Sequence, residues 1–161
     1  VMTTVHSATA TQNVVDSASF NNRRISRGIL NNIIPSTTGA AKAVGRVVPE
    51  LDGILTGMAY RVPTSNVSVV DFSVNLKKST TINEISSIIL NASKDKYKGV
   101  IGFCDEDLVS TDFNGDTRTS IFDKNASLQI TPHFFKLVCW YDNETGYSHK
   151  LIEMARHMFG R

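Results

Sequence analysis

A histidine and two threonines near the start of the chain carry side chains that could act on a small substrate. His6 ends an alternating run over residues 1–5 that is typical of a β-strand. Thr9 and Thr11 follow two residues apart, so an extended backbone would point both hydroxyls in one direction. An imidazole beside two hydroxyls suits a small polar or anionic substrate. The alternative interpretation is a polar strand end whose hydroxyls contact only water.

The run Ser36-Thr37-Thr38-Gly39 is typical of a helix start, and we predict a helix over residues 40–48. The first N–H groups of a helix lack partners and carry the positive end of its dipole, so a phosphate bound there would be stabilised. Gly39 has no side chain and would let an anion approach the backbone. The alternative is that one of these hydroxyls only caps the helix.

Arg61 lies between a β-rich run and the turn that begins at Pro63. A guanidinium can bind a phosphate through two parallel hydrogen bonds. The alternative is an ordinary surface arginine. Together, a possible base, two hydroxyls, a helix start and an arginine describe a site for a phosphorylated substrate.

The segment from Trp140 to Tyr147 is rich in aromatic and amide side chains. It links the last predicted strand to the last predicted helix. Asn143, in the turn, could present its amide to a cofactor. The alternative is a loop that buries two aromatic side chains and caps a helix.

Many strands with a few helices between them predict an α+β fold, with a largely antiparallel sheet covered on one face. The predicted strands cover residues 1–7, 54–62, 67–76, 99–103, 120–122, 127–130 and 134–141. The predicted helices cover residues 40–48, 81–93 and 148–159. Thr81 and Glu84 are spaced for a capping box, and Asn114-Gly115 predicts a tight turn. The polar stretch 8–32 has weak periodicity, which is typical of a functional or disordered segment.

The composition is that of an ordinary globular domain. The 161 residues include 41% hydrophobic and 20% charged side chains, enough for one domain with a core. A net charge of +2 is too small to indicate nucleic-acid or membrane binding, and no apolar run is long enough to span a bilayer. Cys104 and Cys139 lie in apolar runs and are interpreted as small buried thiols, since two cysteines make neither a disulfide framework nor a metal site.

The first residues carry no signal-like stretch, so we expect an intracellular, cytoplasmic protein. The chain also opens in what is predicted to be the middle of a strand. This start indicates a fragment, or one domain of a longer protein.

Four long motifs resemble the phosphorylating glyceraldehyde-3-phosphate dehydrogenase family. They cover residues 2–12, 32–45, 55–64 and 140–148, the last beginning Trp-Tyr-Asp-Asn-Glu-Thr-Gly-Tyr, and the shorter run 109–113 matches as well. The matches follow one another from end to end of the chain. The resemblance implies the C-terminal catalytic domain of such an enzyme: an α+β domain with a mixed, mostly antiparallel sheet, helices packed on one face, and contacts within a homotetramer.

The resemblance also implies a role for each candidate residue near the phosphates. His6 matches the histidine that activates the catalytic cysteine thiol and then assists hydride transfer as a base. The residues that match the site of the substrate's own phosphate are Thr9, Thr11 and Arg61. The residues that match the site of the attacking inorganic phosphate are Thr38 and Gly39.

On the cofactor side, Asn143 matches the residue that hydrogen-bonds the nicotinamide carboxamide, and Tyr147 lies beside it. The implied cofactor is NAD, with NADP not excluded because the residue that reads the ribose belongs to the other half of the enzyme. The implied reaction converts D-glyceraldehyde 3-phosphate and inorganic phosphate to 1,3-bisphosphoglycerate through a cysteine thioester. No metal is implied.

Two departures from the family pattern bear on activity. The Ser-Cys-Thr-Thr-Asn-Cys run that carries the nucleophile and the Gly-x-Gly-x-x-Gly loop of the Rossmann coenzyme domain are not in residues 1–161, which are therefore interpreted as a catalytic-domain fragment that is inactive alone. Residues 16–31 also diverge: Arg24 and Arg27 persist, whereas the family's tryptophan and glycines do not. In the family this loop lies near the cofactor of a neighbouring subunit, so the divergence bears on cofactor preference and subunit packing.

Two other functions remain to be separated from this one. A paralogue acting on erythrose 4-phosphate would hydrolyse its thioester and would have no use for the run Pro35-Ser36-Thr37-Thr38-Gly39, so its rate would not depend on inorganic phosphate. A non-catalytic interaction module would lack the Rossmann half and the cysteine run upstream of Val1.

Overall fold

The computed structural model describes residues 1–18 and 22–160, and within them seven strands form one sheet. The strands are β1 Met2–His6, β2 Ile34–Thr37, β3 Gly57–Arg61, β4 Ser68–Asn75, β5 Ile101–Cys104, β6 Ser120–Gln129 and β7 Phe134–Tyr141. The helices are α1 Ala40–Val47, α2 Ile82–Lys94 and α3 Thr145–Met158. Short 3₁₀ turns lie at Ile29–Asn31, Pro49–Leu51 and Ser110–Phe113.

The strands lie in the order β2-β3-β1-β4-β7-β6-β5. The pairs β1/β3 and β5/β6 are parallel, and the other four neighbouring pairs are antiparallel. The sheet is therefore mixed and mostly antiparallel, and the α+β prediction is confirmed.

The pairing of the central strands brings four strand ends to one side of the sheet. Parallel pairing of β1 with β3 sets His6 opposite Arg61. Antiparallel pairing of β4 with β7 sets Ser68, where β4 begins, opposite Tyr141, where β7 ends. Because β4 also runs antiparallel to β1, its start lies beside the end of β1. Polar residues from distant parts of the chain therefore meet at these strand ends.

Strand β2 was not predicted. Ser36 and Thr37 are predicted from sequence to begin a helix, but residues Ile34–Thr37 pair antiparallel with β3. β2 is an edge strand, which accommodates Pro35 because an edge residue can lack a ladder donor. Helix α1 then begins at Ala40, as predicted, and ends one residue earlier than predicted, at Val47.

The two strands predicted over residues 120–122 and 127–130 are one continuous strand, β6. Its pairing with β7 shifts register between Asp123 and Leu128. The buried Asp123 carboxylate accepts hydrogen bonds from the Ala126 backbone N–H and the Trp140 indole N–H. The Ser127 hydroxyl donates to the Asp123 carbonyl oxygen and accepts from the Val138 N–H. These bonds satisfy the polar groups of the bulge, so the strand continues.

Helix α2 has the predicted capping box: the Thr81 hydroxyl accepts from the Glu84 N–H, and the Glu84 carboxylate accepts from the Thr81 N–H. Helix α3 begins three residues before its predicted start at residue 148. The Asp142 carboxylate accepts from the N–H groups of Glu144 and Thr145 and so caps the start of the helix. Asp142 precedes the apolar pattern from which the helix was predicted, so that pattern does not reveal the early start.

One buried cluster lies under β4, β5, β6 and β7 at the end of the sheet that holds Ser68. Its members are Val67, Cys104, Phe113 and Ile121, with Leu108 and Trp140 packed against them. Val67 has a φ of 63°, which a β-branched residue rarely adopts, and it turns the chain into β4. The Trp140 ring stacks on Phe113 at a centroid distance of 5.4 Å. Packing of Val67 in this cluster holds the unusual turn in place.

Both cysteines are free thiols, Cys104 buried and Cys139 half-buried. Burial raises the pKa of each thiol above its ordinary value. A raised pKa lowers the thiolate fraction at neutral pH, so neither cysteine has the character of a nucleophile. The prediction of small buried thiols is confirmed for Cys104 and holds in part for Cys139.

Much apolar surface remains uncovered. On α3, Leu151, Ile152 and Phe159 are 54%, 55% and 80% exposed, although their spacing predicts one apolar face. The accessible surface totals 10878 Å², whereas a compact monomer of this mass is expected to expose about 7,900 Å².

No helix in the described part of the chain combines the length and the apolar character needed to cross a membrane.

Candidate functional site

His6 and Arg61 are in direct contact where strands β1 and β3 end. The Arg61 Nη1 lies 2.7 Å from the His6 Nδ1, 3.2 Å from the Ser7 carbonyl oxygen and 3.5 Å from the Thr9 hydroxyl. The His6 Nδ1 also lies 2.8 Å from the Ser7 carbonyl oxygen. The guanidinium and the imidazole therefore share one carbonyl acceptor, although 55 residues separate them in sequence.

Only one of the two contacts at the His6 Nδ1 can be a hydrogen bond at a time. A guanidinium nitrogen always donates, so it needs a lone pair on Nδ1, whereas the Ser7 carbonyl needs an Nδ1–H. When Nδ1–H donates to Ser7, the lone pair of Nε2 is left to accept a proton. A ligand that draws Arg61 away from the ring favours this tautomer.

The surroundings of His6 favour the neutral imidazole. Burial lowers the pKa of His6, the Ser7 carbonyl raises it, Arg61 lowers it and Glu144 raises it, and the net pKa lies below the ordinary 6.5. The Tyr141 ring meets the imidazole edge-on at a centroid distance of 6.0 Å, and its hydroxyl is 2.9 Å from the Thr4 hydroxyl. A neutral imidazole can accept a proton, as a general base must.

The loop after β1 presents both predicted threonine hydroxyls beside Arg61. The Thr9 and Thr11 hydroxyl oxygens are 3.2 Å apart, and the Gln12 side chain bridges them. Arg61 Nε is buried and has no hydrogen-bond partner among the described residues. This corner therefore has hydroxyls and a guanidinium donor that can bind an anion.

Thr38 and Gly39 lie where β2 passes into α1. The Thr38 hydroxyl accepts a hydrogen bond from the Ala40 N–H at 3.2 Å, and Gly39 is the residue before the first helical turn. A cavity of about 360 Å³ is lined by Thr38, His6 and Arg61 together with seven other residues. The helix start is therefore on the same cavity as the histidine and the arginine.

A larger cleft of about 730 Å³ adjoins this site and is basic. Its lining includes Thr11, Thr37, Arg61 and two arginines, Arg23 and Arg24. From sequence, Arg24 stands out only as a family residue that persists in the divergent segment 16–31. Two further guanidinium groups beside Arg61 increase the attraction of the cleft for anions.

Asn143, between β7 and α3, is tied to the chain next to His6. Its Oδ1 accepts a hydrogen bond from the Ser7 hydroxyl at 2.8 Å and another from the Ser68 hydroxyl at 2.9 Å. Its Nδ2 is turned to the other side, where it donates to the Glu144 carboxylate at 3.2 Å. Tyr147, in the first turn of α3, is 65% exposed and is not part of this network.

Comparisons with known proteins decide the family. The model of the family described as glyceraldehyde 3-phosphate dehydrogenase, C-terminal domain, matches residues 1–143. The chain belongs to this family. A glyceraldehyde-3-phosphate dehydrogenase of Buchnera aphidicola subsp. Schizaphis graminum is 58% identical over 155 residues, which are 96% of this chain and 47% of that protein.

Two further relatives agree. Glyceraldehyde-3-phosphate dehydrogenase A of Escherichia coli K12 is 54% identical over 158 residues, 98% of this chain and 48% of its own length. A chloroplastic glyceraldehyde-3-phosphate dehydrogenase of Arabidopsis thaliana is 55% identical over 158 residues, 98% of this chain and 37% of its own length. The chain therefore spans about half the length, or less, of these curated relatives.

The glyceraldehyde 3-phosphate dehydrogenase domain brings most of the predicted residues to one place. His6, Thr9, Thr11, Arg61 and Asn143 are linked by hydrogen bonds that pass directly or through Ser7 and Gln12. Thr38 and Gly39 lie at the helix start on this side of the sheet, and Thr38 lines the same cavity as His6. Among the described residues, no group of three or more His, Cys, Asp and Glu is placed to hold a metal ion.

The divergent segment 16–31 is held by local bonds. Asp16 pairs with Arg27 at 3.0 Å and accepts from the Gly28 N–H at 2.8 Å. Cβ of any larger residue at position 28 would lie 2.7 Å from the Val14 carbonyl oxygen, so a larger residue would require the backbone to shift. Ser19, Phe20 and Asn21, which belong to the same segment, lie outside the described residues.

Three residues of the site were missed by sequence reasoning: Ser7, Ser68 and Tyr141. Ser7 and Ser68 are single serines beside apolar residues, and their pairing across 61 residues leaves no sequence pattern. Tyr141 belongs to the aromatic segment from Trp140 to Tyr147, but nothing in the sequence indicates that its ring contacts His6. The strand pairing that joins them is what sequence spacing does not reveal.

Proposed function

We propose that the full-length protein carrying this chain is an oxidoreductase that converts D-glyceraldehyde 3-phosphate, inorganic phosphate and NAD to 1,3-bisphosphoglycerate and NADH. The family membership supports the reaction class. The observation that carries the proposal is the contact of Arg61 with His6, the Ser7 carbonyl and the Thr9 hydroxyl, beside a cavity that His6 and Arg61 line together with Thr38. The site therefore combines a base with two places for anions.

His6 is the proposed general base. With its Nδ1–H on the Ser7 carbonyl, its Nε2 accepts the proton of the cysteine thiol. The thiolate then adds to the substrate aldehyde, and the imidazolium returns the proton to the alkoxide, which gives the hemithioacetal hydroxyl and restores neutral Nε2. In the oxidation step the same Nε2 takes the proton of the hemithioacetal hydroxyl as a hydride leaves the substrate carbon. The cysteine belongs to a part of the protein outside residues 1–161, since neither Cys104 nor Cys139 has a nucleophile's environment.

Two anion sites flank the base in this proposal. Thr9, Thr11 and Arg61 hold the phosphate that belongs to the aldehyde, because hydroxyls and guanidinium donors converge there. Thr38 and Gly39 hold the inorganic phosphate, which adds to the thioester carbonyl and releases the cysteine thiolate. Arrival of the substrate phosphate draws Arg61 from the imidazole, which leaves Nδ1–H on Ser7 and Nε2 open.

The residues on the cofactor side fit a nicotinamide. Both acceptor positions of the Asn143 Oδ1 are taken by Ser7 and Ser68, and one N–H of its Nδ2 donates to Glu144, so the other N–H suits a carboxamide carbonyl. NAD, when bound, accepts the hydride. Tyr147, in the first turn of α3, is the second residue proposed to contact this ligand, and its 65% exposure supports that role.

We also propose that the full-length protein is a cytoplasmic homotetramer. The support for assembly is the total accessible surface, which exceeds that expected of a compact monomer by about 3,000 Å², together with the exposed apolar side chains of α3. Surface of this extent and apolar character is typical of chains buried against other domains or subunits.

The isolated 161-residue chain is expected to show no turnover of glyceraldehyde 3-phosphate. It carries the proposed base and anion sites without a low-pKa cysteine, so no thioester can form. Purified chain, NAD, phosphate and aldehyde should give no NADH absorbance above a protein-free blank. NADH production by the chain at a rate proportional to its concentration would show that the nucleophile lies within it.

Replacing Arg61 by Gln in the full-length protein is expected to raise KM for glyceraldehyde 3-phosphate by about 100-fold, because a charge-assisted double hydrogen bond to phosphate is lost. Arg46, on the last turn of α1, offers a matched control, and Arg46→Gln should leave KM unchanged. KM for unphosphorylated glyceraldehyde should be nearly the same in wild type and Arg61→Gln. An equal loss with both aldehydes would place Arg61 away from the phosphate.

A further inference from the structure

Ser7 and Ser68 form a small buried hydroxyl network against Asn143. Their exposed fractions are 0% and 1%. The Ser7 N–H donates to the Ser68 hydroxyl oxygen at 3.1 Å, and both hydroxyls donate to the Asn143 Oδ1. The chain of hydrogen bonds runs from the backbone beside His6 to the Asn143 amide in the β7–α3 loop.

This network has a fixed direction. A backbone N–H can only donate, so the Ser68 oxygen is an acceptor in its bond with Ser7. The single hydroxyl hydrogen of Ser68 then points to Asn143, where it needs an acceptor. If the amide were turned over, its NH₂ would face two hydroxyls and the buried Ser68 hydrogen would lose its acceptor, which costs free energy inside a protein.

We propose that Ser68, assisted by Ser7, is a positioning residue that sets the polarity of the Asn143 amide and thereby makes the site select a ligand with a carbonyl acceptor. The inference rests on the proposed binding of the nicotinamide carboxamide by Asn143. Without the serines, only the exposed Glu144 carboxylate, which accepts from Nδ2 at 3.2 Å, would distinguish the two orientations of the amide, because its two ends have nearly the same shape. Ser7 adds a second link, since its carbonyl oxygen holds His6 while its hydroxyl holds Asn143.

The expected effects are graded. In the full-length protein, Ser68→Ala should weaken NAD binding by about tenfold, because the amide loses the bond that fixes its direction. Ser7→Ala should weaken it by about threefold or less, since Ser68 still donates to Oδ1. The variant with both Ser7→Ala and Ser68→Ala should bind NAD as weakly as Asn143→Ala does. Adding Ser68→Ala to Asn143→Ala should not weaken NAD binding further, because the serine acts through the amide.

Titration calorimetry with NAD and with its thionicotinamide analogue provides the test. Sulfur accepts a hydrogen bond weakly, so wild type should prefer NAD over the analogue, and Ser68→Ala should lose most of that preference. Ser86→Ala is the matched control: Ser86 is also a buried serine, but its hydroxyl donates to the Ile82 carbonyl within α2. It should bind both compounds as wild type does. Thermal melting of each variant separates binding from folding.

The outcomes distinguish this inference from the function on which it rests. If Asn143→Ala binds NAD as tightly as wild type, the proposed cofactor role of Asn143 is wrong. If Asn143→Ala weakens binding but Ser68→Ala retains both the affinity and the preference of wild type, the polarity proposal is overturned and the cofactor role stands. Additive losses in the Ser68→Ala, Asn143→Ala double variant would also overturn it.

Discussion

Replacing His6 by Asn in the full-length protein is expected to lower kcat by about two to four orders of magnitude, the range that a positioned general base contributes. Asparagine is close in size and can still donate to the Ser7 carbonyl, so the backbone arrangement around Arg61 is retained. It cannot accept the thiol proton. Rapid-mixing measurement of the first turnover shows whether the loss lies in the chemical steps.

A second measurement connects the loss to the thiol. The nucleophilic cysteine of His6→Asn should react with iodoacetamide more slowly near neutral pH, because its pKa returns toward the ordinary value of about 8.5. His133→Asn is the control, since His133 is exposed and contacts the Leu76 carbonyl far from the site. A kcat within a factor of three of wild type would remove His6 from the mechanism.

The elements that follow one strong local pattern were predictable from sequence. The Ile82–Lys94 helix has both a helical apolar period and a capping box between Thr81 and Glu84, and the structure has both. The final strand, Phe134–Tyr141, was predicted with its observed bounds. In each case the residues that define the element are close neighbours in the chain, so the pattern is complete within one short window.

Elements that depend on distant partners were not predictable in this way. β2 exists because it pairs with β3, and the hydroxyl-rich end of β2 gives no period of its own. The early start of α3 depends on Asp142, whose carboxylate is fixed by Gly115 and Asn66 on separate loops. Such contacts appear only when the sheet has been assembled.

The candidate site likewise has a part that was predictable from local sequence and a part that depends on distant contacts. The residue types of His6, Thr9 and Arg61 indicated an anion-binding site, and the family motifs connected them. The parallel pairing of β1 with β3 is what places Arg61 on the imidazole, and sequence spacing does not predict it. Ser68 could not be identified from sequence at all, because no sequence pattern distinguishes a functional serine in an apolar run from an ordinary residue of a strand.

Asp142→Ala should lower the free energy of unfolding by about 3–5 kcal/mol, among the largest effects of any single change outside the reacting groups. The side chain is 2% exposed, and its oxygens accept four hydrogen bonds. The donors are the backbone N–H groups of Gly115, Glu144 and Thr145 and the Asn66 side-chain amide. Alanine leaves these donors without their acceptor, because no other described residue replaces the carboxylate.

The loss should concentrate at the loop that carries Asn143. Hydrogen exchange of the Gly115, Glu144 and Thr145 amides should accelerate in Asp142→Ala, and the urea midpoint of the full-length protein should fall. Asp112→Ala is the control: Asp112 caps a surface turn by accepting from the Val109 N–H alone. It should cost about 1 kcal/mol. Equal midpoints for the two variants would contradict the assigned role of Asp142.

The pH dependence gives an independent check on the same carboxylate. Burial alone would raise the pKa of Asp142, but hydrogen bonds from Gly115, Thr145, Glu144 and Asn66 outweigh burial and hold the pKa below the ordinary 3.8. A depressed pKa in the folded state means that the carboxylate stabilises the fold fully above pH 3.8, and that this stabilisation is lost as the pH falls through the folded-state value. The difference in unfolding free energy between wild type and Asp142→Ala should therefore be constant from neutral pH to about pH 5 and shrink at lower pH. A difference that grows on acidification would mean that the protonated acid, and not the carboxylate, holds the loop, which four N–H donors on one acceptor group do not allow.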